Sequence, residues 1–522
     1  MSSPEGTVDH PARGAYHLFV GNFSYTLLVA IASIVIARLL GPSDYGLYSL
    51  ALVVPGYLYT AVQLGFNQAA VYYPARYRAN GLTDRAHEFI YSVTLFQLVI
   101  AAAAIAVLIP FTDIIAKLLL DRPELAGIIP FALITVLGHV GYYTVSSGMQ
   151  GLNKMNWSAL LQVLLAVVKL VASVGLVLLG FGVLGAVVGN ASAFIISGLI
   201  GLLTVVVFYR KPFPHNFLTH VKTALTYSIP LYIAALVSGL VGPIQNTFLA
   251  IFVINQDIGG YSGAGNLGAL ITLFVYPIAT VLFPLFSSIS DDRQKLLELY
   301  RVSIKYSTLI VVPITLFLIV AATPIASAVY GRAYSFSGNY LRVLIIPNLL
   351  VGLGSIVQGS LLNSVMKNRA WMVCNISGSA VSVAISALLV RYIGVYGVIA
   401  GSISGGIVTL LLAWQAITSS LGGNADFRAV WRVYAASVPP AIATFFVTYI
   451  PYHPIIVSAI ALLLFFVVLV PSLVAFKAVS PEDVQNLDSY FRRIAPVYFF
   501  FRIVKRYYLL FIRQNLESKK AE

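Results

Sequence analysis

A single cation lies at the centre of one long apolar run of this chain, at Lys169. Three polar residues share its helical face at spacings of 4, 7 and 4 positions: Ser158, Gln162 and Ser173. A charge in an apolar helix is unfavourable and points to function, and an ammonium offers a compact charge with three donors. The pattern predicts contact with an anionic group such as a phosphate. The alternative is a lysine that snorkels or bonds carbonyls of its own bundle.

Further amide and hydroxyl side chains lie inside other apolar runs and are candidates for lining a hydrophilic cavity. They are Asn22, Thr26, Gln63, Asn67, Gln245, Asn246, Asn266 and Asn375. Each of these side chains could equally bond a neighbouring helix, as polar residues commonly do in membranes. We expect the set as a whole, rather than any one residue, to define a path.

The composition identifies the elements that must position these residues. Of 522 residues, 59% are hydrophobic and 10% are charged, whereas soluble domains have about 25% charged residues. About 20 apolar residues cross a bilayer, and membrane-barrel strands of about ten alternating residues do not fit such long runs. The sequence therefore predicts an all-α integral membrane protein with fourteen transmembrane helices. The predicted spans are 17–39, 46–73, 88–110, 125–147, 157–179, 183–208, 224–251, 261–287, 303–323, 340–365, 371–391, 396–418, 430–450 and 455–476.

The basic residues predict the orientation of these spans. With a cytoplasmic N-terminus, 25 of the 32 Lys and Arg residues lie in inner segments. We therefore expect a multi-pass protein of the plasma or inner membrane with both termini cytoplasmic. The net charge of +14 then indicates contact with anionic lipids rather than nucleic acid. The aromatic and basic stretch 490–513 predicts a helix at the membrane interface.

A repeat divides the chain into two halves. The pattern D-x-G-x-Y-S-x-A occurs at 44–51 and again at 257–264, an offset of 213, and a glycine-flanked stretch at 182–189 recurs at 394–401, an offset of 212. Each unit holds six spans, so a pseudo-two-fold axis along the membrane normal should relate them. The predicted parts are an N-lobe at 1–210, a C-lobe at 211–420, two extra spans at 421–478 and a basic tail at 479–522. Asp44 and Asp257 fall in the outer turns of the two lobes.

The stretch ARLLGPSDYGLYSLA at 37–51, the six-plus-six repeat, the two extra spans and the basic tail resemble one family. It is the family of polysaccharide biosynthesis (Wzx-type) oligosaccharide flippases in the MATE-like (MOP) superfamily. The resemblance implies a V-shaped pair of six-helix bundles that works by alternating access. It also implies a polyprenyl-(pyro)phosphate-linked oligosaccharide that moves from the inner to the outer leaflet. Glycosyltransferases or a polymerase of the same pathway are then further candidate partners.

The charged residues bear on the choice between substrates. All 18 Asp and Glu residues lie outside the centres of the predicted spans, whereas multidrug exporters of similar architecture use buried acids to hold a cation or a proton. An anionic substrate is therefore favoured, and a cation-coupled multidrug antiporter is the alternative. Two cations near the predicted outer face, Arg38 and Arg342, are candidates to receive an anionic headgroup or to anchor helix ends.

No pattern in the sequence indicates an enzyme. A GxxxxGK[ST] loop, a pair of catalytic acids and a histidine cluster are all missing, and one cysteine, Cys374, cannot form a disulfide within the chain. We therefore predict no catalytic residue, no metal and no cofactor. A membrane polysaccharide polymerase is a further alternative, but it would need a larger outer loop than this chain offers. Prolines at Pro55, Pro243 and Pro284 predict bends in spans two, seven and eight.

Overall fold

The computed structural model describes residues 9–209, 216–422 and 427–480, together with residues 483, 484, 488, 502, 505 and 506. All regular elements in these ranges are helices, which confirms the predicted all-α class. Most of the predicted interfacial helix at 490–513 lies outside the described residues.

Most of the longer helices overlap a predicted span, because a long apolar run favours a membrane-spanning helix. Their bounds are α1 Asp9–Ala51, α2 Val53–Val62, α3 Phe66–Ala79, α4 Thr83–Leu108, α5 Thr112–Ile114, α6 Ile129–Gly151, α7 Met155–Leu176, α8 Gly182–Tyr209, α9 Phe217–Phe252, α10 Asn255–Ala269, α11 Thr272–Ser288, α12 Arg293–Val320, α13 Ala322–Tyr330, α14 Ser337–Leu344, α15 Gln358–Ser364, α16 Asn368–Ile393, α17 Val395–Leu421, α18 Phe427–Thr448 and α19 Pro454–Ala475. Short 3-10 and π-helical turns connect several of them, including Ile346–Leu353 between α14 and α15.

The number of spans is compatible with fourteen. The described residues contain 11 segments long and apolar enough to cross a membrane, or 12 when a pair bent by 48° counts as one. Two of these segments, Val20–Val62 and Met155–Val207, contain 43 and 53 residues. At about 1.5 Å per residue such lengths are at least twice the bilayer core. Each therefore accounts for two of the predicted spans.

The interruption of the helix between the first two spans is shorter than predicted. We expected residues 41–46 to form a turn, but only Gly41 leaves helical geometry, with φ 75° and ψ 170°. The residues after it, including Asp44, are helical. A glycine tolerates this positive φ without a Cβ clash, and a proline is favoured where a helix restarts. The turn between the first two spans therefore needs one non-helical residue, whereas the sequence predicted a turn of six residues.

Three predicted spans are interrupted rather than continuous. Span two breaks at Leu64 and Gly65, which have φ of 47° and 70°. It is also interrupted at Leu52, between α1 and α2, three residues before the predicted Pro55. Span eight divides into α10 and α11, and span ten bends near Gly354, which has φ 90°. Gly65 also approaches α9 closely, because a Cβ there would lie 3.1 Å from the Ser228 carbonyl oxygen.

The repeat seen in the sequence is present in the packing of two helix pairs. In α7–α8, the Ser173 hydroxyl donates to the Ala186 carbonyl at 3.4 Å, and Gly189 packs against Ser173. In α16–α17, Ser386 donates to the Val398 carbonyl at 3.5 Å. Gly401 packs against Ser386 in the same way. These helix pairs therefore share one packing arrangement at the repeat offset.

The chain forms two compact units. The first contains residues up to Asn266 and residues 375–405, and the second contains residues 267–374 and those from Gly406 onward. A core of the first unit packs α4, α6, α7 and α8 around Tyr142, Met149 and Leu161. In the second unit, Phe317 of α12 packs on Phe465 of α19 with ring centroids 5.3 Å apart, so the extra spans join a core of that unit.

Candidate substrate path

At one end of the first unit, which we call the turn end, the two copies of the repeated motif meet backbone to backbone. A Cβ on Gly46 would overlap the Asn255 carbonyl, and a Cβ on Gly259 would overlap the Pro42 carbonyl. Both glycines are buried. They are the shared glycines of the two D-x-G patterns, so their contact is reciprocal. Only glycine permits such a close approach of two helices.

Side chains reinforce the turn end. Asn266 Nδ2 donates to the Tyr45 hydroxyl at 2.7 Å, so this predicted cavity residue joins the two motifs. Arg122 donates through Nε to the Asn255 side chain and through Nη2 to the Val253 carbonyl, each at 2.7 Å. The predicted outer-turn acids differ: Asp44 is exposed, and Asp257 is half-buried in the first turn of α10.

At the opposite end of the first unit, which we call the basic end, α4 joins the start of α9. Buried Glu88 accepts a hydrogen bond from the Asn216 backbone N–H at 2.7 Å. His220 Nε2 lies 3.7 Å from Glu88 Oε2, and its ring packs edge-on to Phe89 at 5.5 Å. Burial lowers the pKa of His220, and the Glu88 carboxylate offsets part of that effect.

The stripe on α7 separates into two environments. Ser158 hydrogen-bonds the Ser146 hydroxyl at 2.7 Å and accepts from Gln150 at 3.2 Å, and Ser173 bonds α8 as described above. Both serines are buried and hold neighbouring helices together. Gln162 and Lys169 are only half-buried. The buried Gln162 Oε1 has no hydrogen-bond partner among the described residues.

Lys169 lies within electrostatic range of His139, which belongs to an aromatic cluster inside the first unit. The His139 ring packs against Phe194 with centroids 3.9 Å apart, and against Tyr59 and Tyr143 at 5.1 and 5.9 Å. Within the described residues no carboxylate pairs with Lys169. A cation without an acid partner in an apolar bundle can stabilise an anion there.

Gln63 and Asn67 lie on either side of the break in span two and belong to one polar network. The Gln63 carbonyl accepts from Gln97 Nε2 at 2.8 Å, and the Gln97 Oε1 accepts from Thr144 at 2.5 Å. Asn67 donates to the Tyr59 hydroxyl at 3.2 Å and accepts from Thr144 at 3.4 Å. The network therefore connects the interrupted span to α4, α6 and the aromatic cluster.

The remaining predicted cavity residues divide between helix packing and half-buried positions. Gln245 Nε2 lies within hydrogen-bond reach of three hydroxyls, at 3.0, 2.9 and 3.1 Å, which belong to Ser382, Ser386 and Ser402. It connects α9 to α16 and α17. The Thr26 hydroxyl donates to the Asn22 carbonyl of its own helix at 2.8 Å. Asn22, Asn246 and Asn375 are half-buried.

The two predicted outer-face cations have different surroundings. Arg342, in the second unit, donates to the Ile319 carbonyl at 3.3 Å, to Asn339 at 2.9 Å and to Thr323 at 3.0 Å. It anchors the ends of α12, α13 and α14, which is the second of the two roles considered for it. Arg38 is exposed near the end of the first helical segment.

Four residues of the turn and basic ends were not predicted from the sequence. Gly46 and Gly259 are part of the repeated motif, so the repeat could have identified them. The sequence analysis instead assigned the functional interest to the neighbouring acids, Asp44 and Asp257. Arg122 and Glu88 were assigned to a loop and a span edge, and no sequence pattern places their partners. The pairing of Glu88 with His220 joins residues 132 positions apart in the chain.

A family model of the polysaccharide biosynthesis proteins matches residues 12–290. The chain belongs to this family. The match spans more than half of the chain and includes the first copy of the repeated motif and its counterpart at 257–264. It confirms the resemblance on which the sequence-based prediction rests.

One curated relative is the succinoglycan biosynthesis transport protein ExoT of Rhizobium meliloti (strain 1021). It is 23% identical over 317 residues, which cover 59% of this chain and 60% of the relative. The chain therefore matches about three fifths of that relative's length.

Solved structures show the same fold at low sequence identity. The lipid II flippase MurJ, in an inward closed conformation, matches with a TM-score of 0.73 and 16% identity, over 88% of this chain and 98% of MurJ. An inward-facing multidrug resistance MATE family transporter matches with a TM-score of 0.59 and 16% identity, over 76% and 94%. A MOP superfamily transporter from Pyrococcus furiosus matches with a TM-score of 0.55 and 16% identity, over 78% and 95%. The chain therefore shares its fold with these three proteins.

Proposed function

We propose that this polysaccharide biosynthesis protein is a flippase. It moves a polyprenyl-(pyro)phosphate-linked oligosaccharide from the inner to the outer leaflet by alternating access, for cell-surface polysaccharide. The observation that carries the proposal is the half-buried Lys169, which has no carboxylate partner among the described residues of a membrane-embedded bundle. The family membership and the shared fold support the transport part of it.

Lys169 contacts the phosphate of the passing substrate. A cation in an apolar bundle is unfavourable unless it is paired, and a phosphate supplies the pairing only while substrate is present. Two tyrosines, Tyr59 and Tyr143, pack on each other and on His139, the residue with which Lys169 interacts electrostatically. Amphipathic side chains of this kind accommodate a molecule with apolar and polar faces.

The turn end and the basic end are the two gates. The Gly46–Gly259 contact closes the first, and the Glu88 contacts with Asn216 and His220 close the second. Opening of the first gate separates the two glycine backbones and breaks the side-chain hydrogen bonds that Asn266 and Arg122 make there. The basic end faces the cytoplasm, since basic residues remain inside, and the turn end faces outward.

The location follows from the same orientation. The protein resides in the plasma or inner membrane with both termini in the cytoplasm, and anionic lipids contact its basic end. Glycosyltransferases or a polymerase of the same pathway supply or consume the lipid-linked glycan. The chain itself carries out no catalysis and needs no cofactor.

A multidrug antiporter coupled to a cation is the second candidate. The fold likeness to MATE transporters and the buried Glu88 near His220 favour it. An antiporter should export organic cations only when a proton or sodium gradient is present. In the Glu88→Gln variant this export should no longer depend on the gradient. A flippase instead requires translocation of an anionic glycolipid that depends on Lys169.

Flipping in reconstituted vesicles tests the proposal. Wild type should translocate a polyprenyl diphosphate-linked oligosaccharide, measured as protection of the glycan from an added glycosidase. Lys169→Ala should reduce the rate about 30-fold, since a hydrogen bond to a charged group contributes about 1.5–3 kcal/mol. Lys117→Ala is the control, because Lys117 is exposed and lies outside the cluster. Normal flipping by a folded Lys169→Ala would exclude the phosphate contact.

A further inference from the structure

A cleft of about 660 Å³ opens at the surface between α3 and α9. Its α3 wall is formed by Gln68, Tyr72 and Arg76, which occur at every fourth residue and therefore share one helical face. Val71 and Ala75 fill the positions between them, and Tyr227 of α9 forms the opposite wall. All of these residues belong to the first unit.

The tyrosines of the cleft form a fixed aromatic surface. Tyr72 and Tyr227 are stacked with centroids 4.9 Å apart and planes at 10°. Tyr73 packs edge-on against both rings, at 5.1 and 5.6 Å. Tyr72 nevertheless remains 44% exposed, so one large ring is held in position without being covered. Such a ring can pack against the C–H face of a sugar while its hydroxyl stays solvated.

The cleft also contains an uncommitted cation. Arg76 is exposed, and no acid among the described residues pairs with it. By contrast, Arg78 on the same helix donates to the Leu152 carbonyl at 3.2 Å. A free guanidinium binds phosphate through two parallel hydrogen bonds. Exposed Gln68, two turns away from Arg76, adds an amide that can bond sugar hydroxyls.

We propose that this cleft binds the phosphosugar headgroup of an isoprenoid-linked glycan before the headgroup reaches Lys169. Arg76 binds the phosphate, Tyr72 packs on the first sugar, and Gln68 bonds its hydroxyls. The order along α3, cation then ring then amide, matches the order phosphate then sugar in such a headgroup. This inference rests on the proposed function, and it makes the cleft selective for a phosphate that carries a sugar.

Binding to the purified full chain in detergent micelles tests the cleft. The probes are farnesyl diphosphoryl glucose and farnesyl diphosphate, each followed by microscale thermophoresis, with phosphatidylglycerol as a competitor. Wild type should bind the glucosylated probe more tightly. Arg76→Gln should weaken both probes about 10- to 30-fold. Tyr72→Leu should weaken only the glucosylated probe, about 10-fold, and Lys222→Gln, which removes an exposed charge at the same end, should change neither.

Several outcomes would overturn the inference: equal binding by Arg76→Gln, an equal loss of both probes in Tyr72→Leu, or displacement by phosphatidylglycerol as effective as by the glucosylated probe. Arg76→Lys, which keeps the charge without the planar fork, should fall between wild type and Arg76→Gln. The flipping assay separates this inference from the proposed function. Binding without translocation by wild type supports the cleft and contradicts the flippase, whereas translocation at the wild-type rate by Arg76→Gln and Tyr72→Leu contradicts the cleft alone.

Discussion

The helix pairs α7–α8 and α16–α17 share a backbone arrangement and differ in the side chains beside it. Ser173 with Gly189, and Ser386 with Gly401, pack the two helices of each pair in the same way. The connections also match, since Gly182 and Gly394 have φ of 52° and 56°. The repeat therefore preserved the means of holding two helices together.

The adjacent polar positions have diverged. At the repeat offset, Lys169 corresponds to Ser382, and Ala32 corresponds to Gln245. In the second half, Gln245 of α9 is within hydrogen-bond reach of Ser382 and Ser386 of α16, so these polar groups bond one another. In the first half, a small Ala32 of α1 and a charged Lys169 of α7 occupy the corresponding positions. One half uses the site for packing, and in the other half we propose that the charge of Lys169 binds a ligand.

Alanine at the two paired glycines should give the largest effect. Gly189→Ala and Gly401→Ala each place a methyl group on a serine backbone, and we expect each to lower the free energy of unfolding by about 2–3 kcal/mol. Thermal unfolding in micelles measures this. The controls are Gly175→Ala on α7 and Gly406→Ala on α17, where a Cβ would meet nothing within 4 Å. They should be neutral or stabilising by up to about 1 kcal/mol. If only one of the two glycine variants loses stability, the two helix pairs are not equivalent in packing.

The reciprocal contact of the turn end comes next. Gly259→Ala should prevent closure there and reduce flipping about 10-fold, because its methyl group meets the Pro42 carbonyl. Gly265→Ala on the same helix has open space around it and should flip normally. Labelling of Ile258→Cys, a fully buried position, should accelerate in the Gly259→Ala background once Cys374 is replaced. Unchanged labelling and flipping would show that this contact is not a gate.

Lys169 and Gln245 should respond with opposite signs. Lys169→Met removes an unpaired charge and should raise the free energy of unfolding by about 1 kcal/mol while flipping falls. Gln245→Leu leaves serine hydroxyls unpaired and should lower it by about 1–2 kcal/mol. Unfolding in denaturant series measures both variants. Destabilisation by Lys169→Met would mean that this lysine serves packing, as its counterpart does.

The smallest effect concerns pH and the basic end. Because burial lowers the pKa of His220, its contribution is present above the unfolded pKa of about 6.5 and is lost as the pH falls through that value and below. Protonation occurs beside Glu88 and Arg85 and against the Tyr77 and Phe89 rings. We expect less than about 1 kcal/mol. His220→Gln should remove this part of the pH dependence of thermal unfolding, and an unaltered pH profile would contradict the assignment.

Sequence reasoning succeeded where a pattern extends over many residues. Apolar length gave the helices, and two matches at one offset gave the repeat. It failed where one or two backbone positions determine whether a helix continues. The Leu64-Gly65 pair resembles many others in apolar helices, yet it interrupts span two. A polar stripe also does not say which members face a neighbour, so Ser173 and Lys169 could not be separated before the packing was known.

The break at Leu64 and Gly65 has a consequence for how the protein is made. The Ala61 carbonyl just before the break accepts a hydrogen bond from the Tyr232 hydroxyl of α9 at 2.7 Å. During synthesis this acceptor is complete long before the ribosome has produced α9. The donor of this hydrogen bond lies in the seventh span, outside the first repeat unit. The second span is therefore held at its break by a residue that is synthesised after the whole of the first unit.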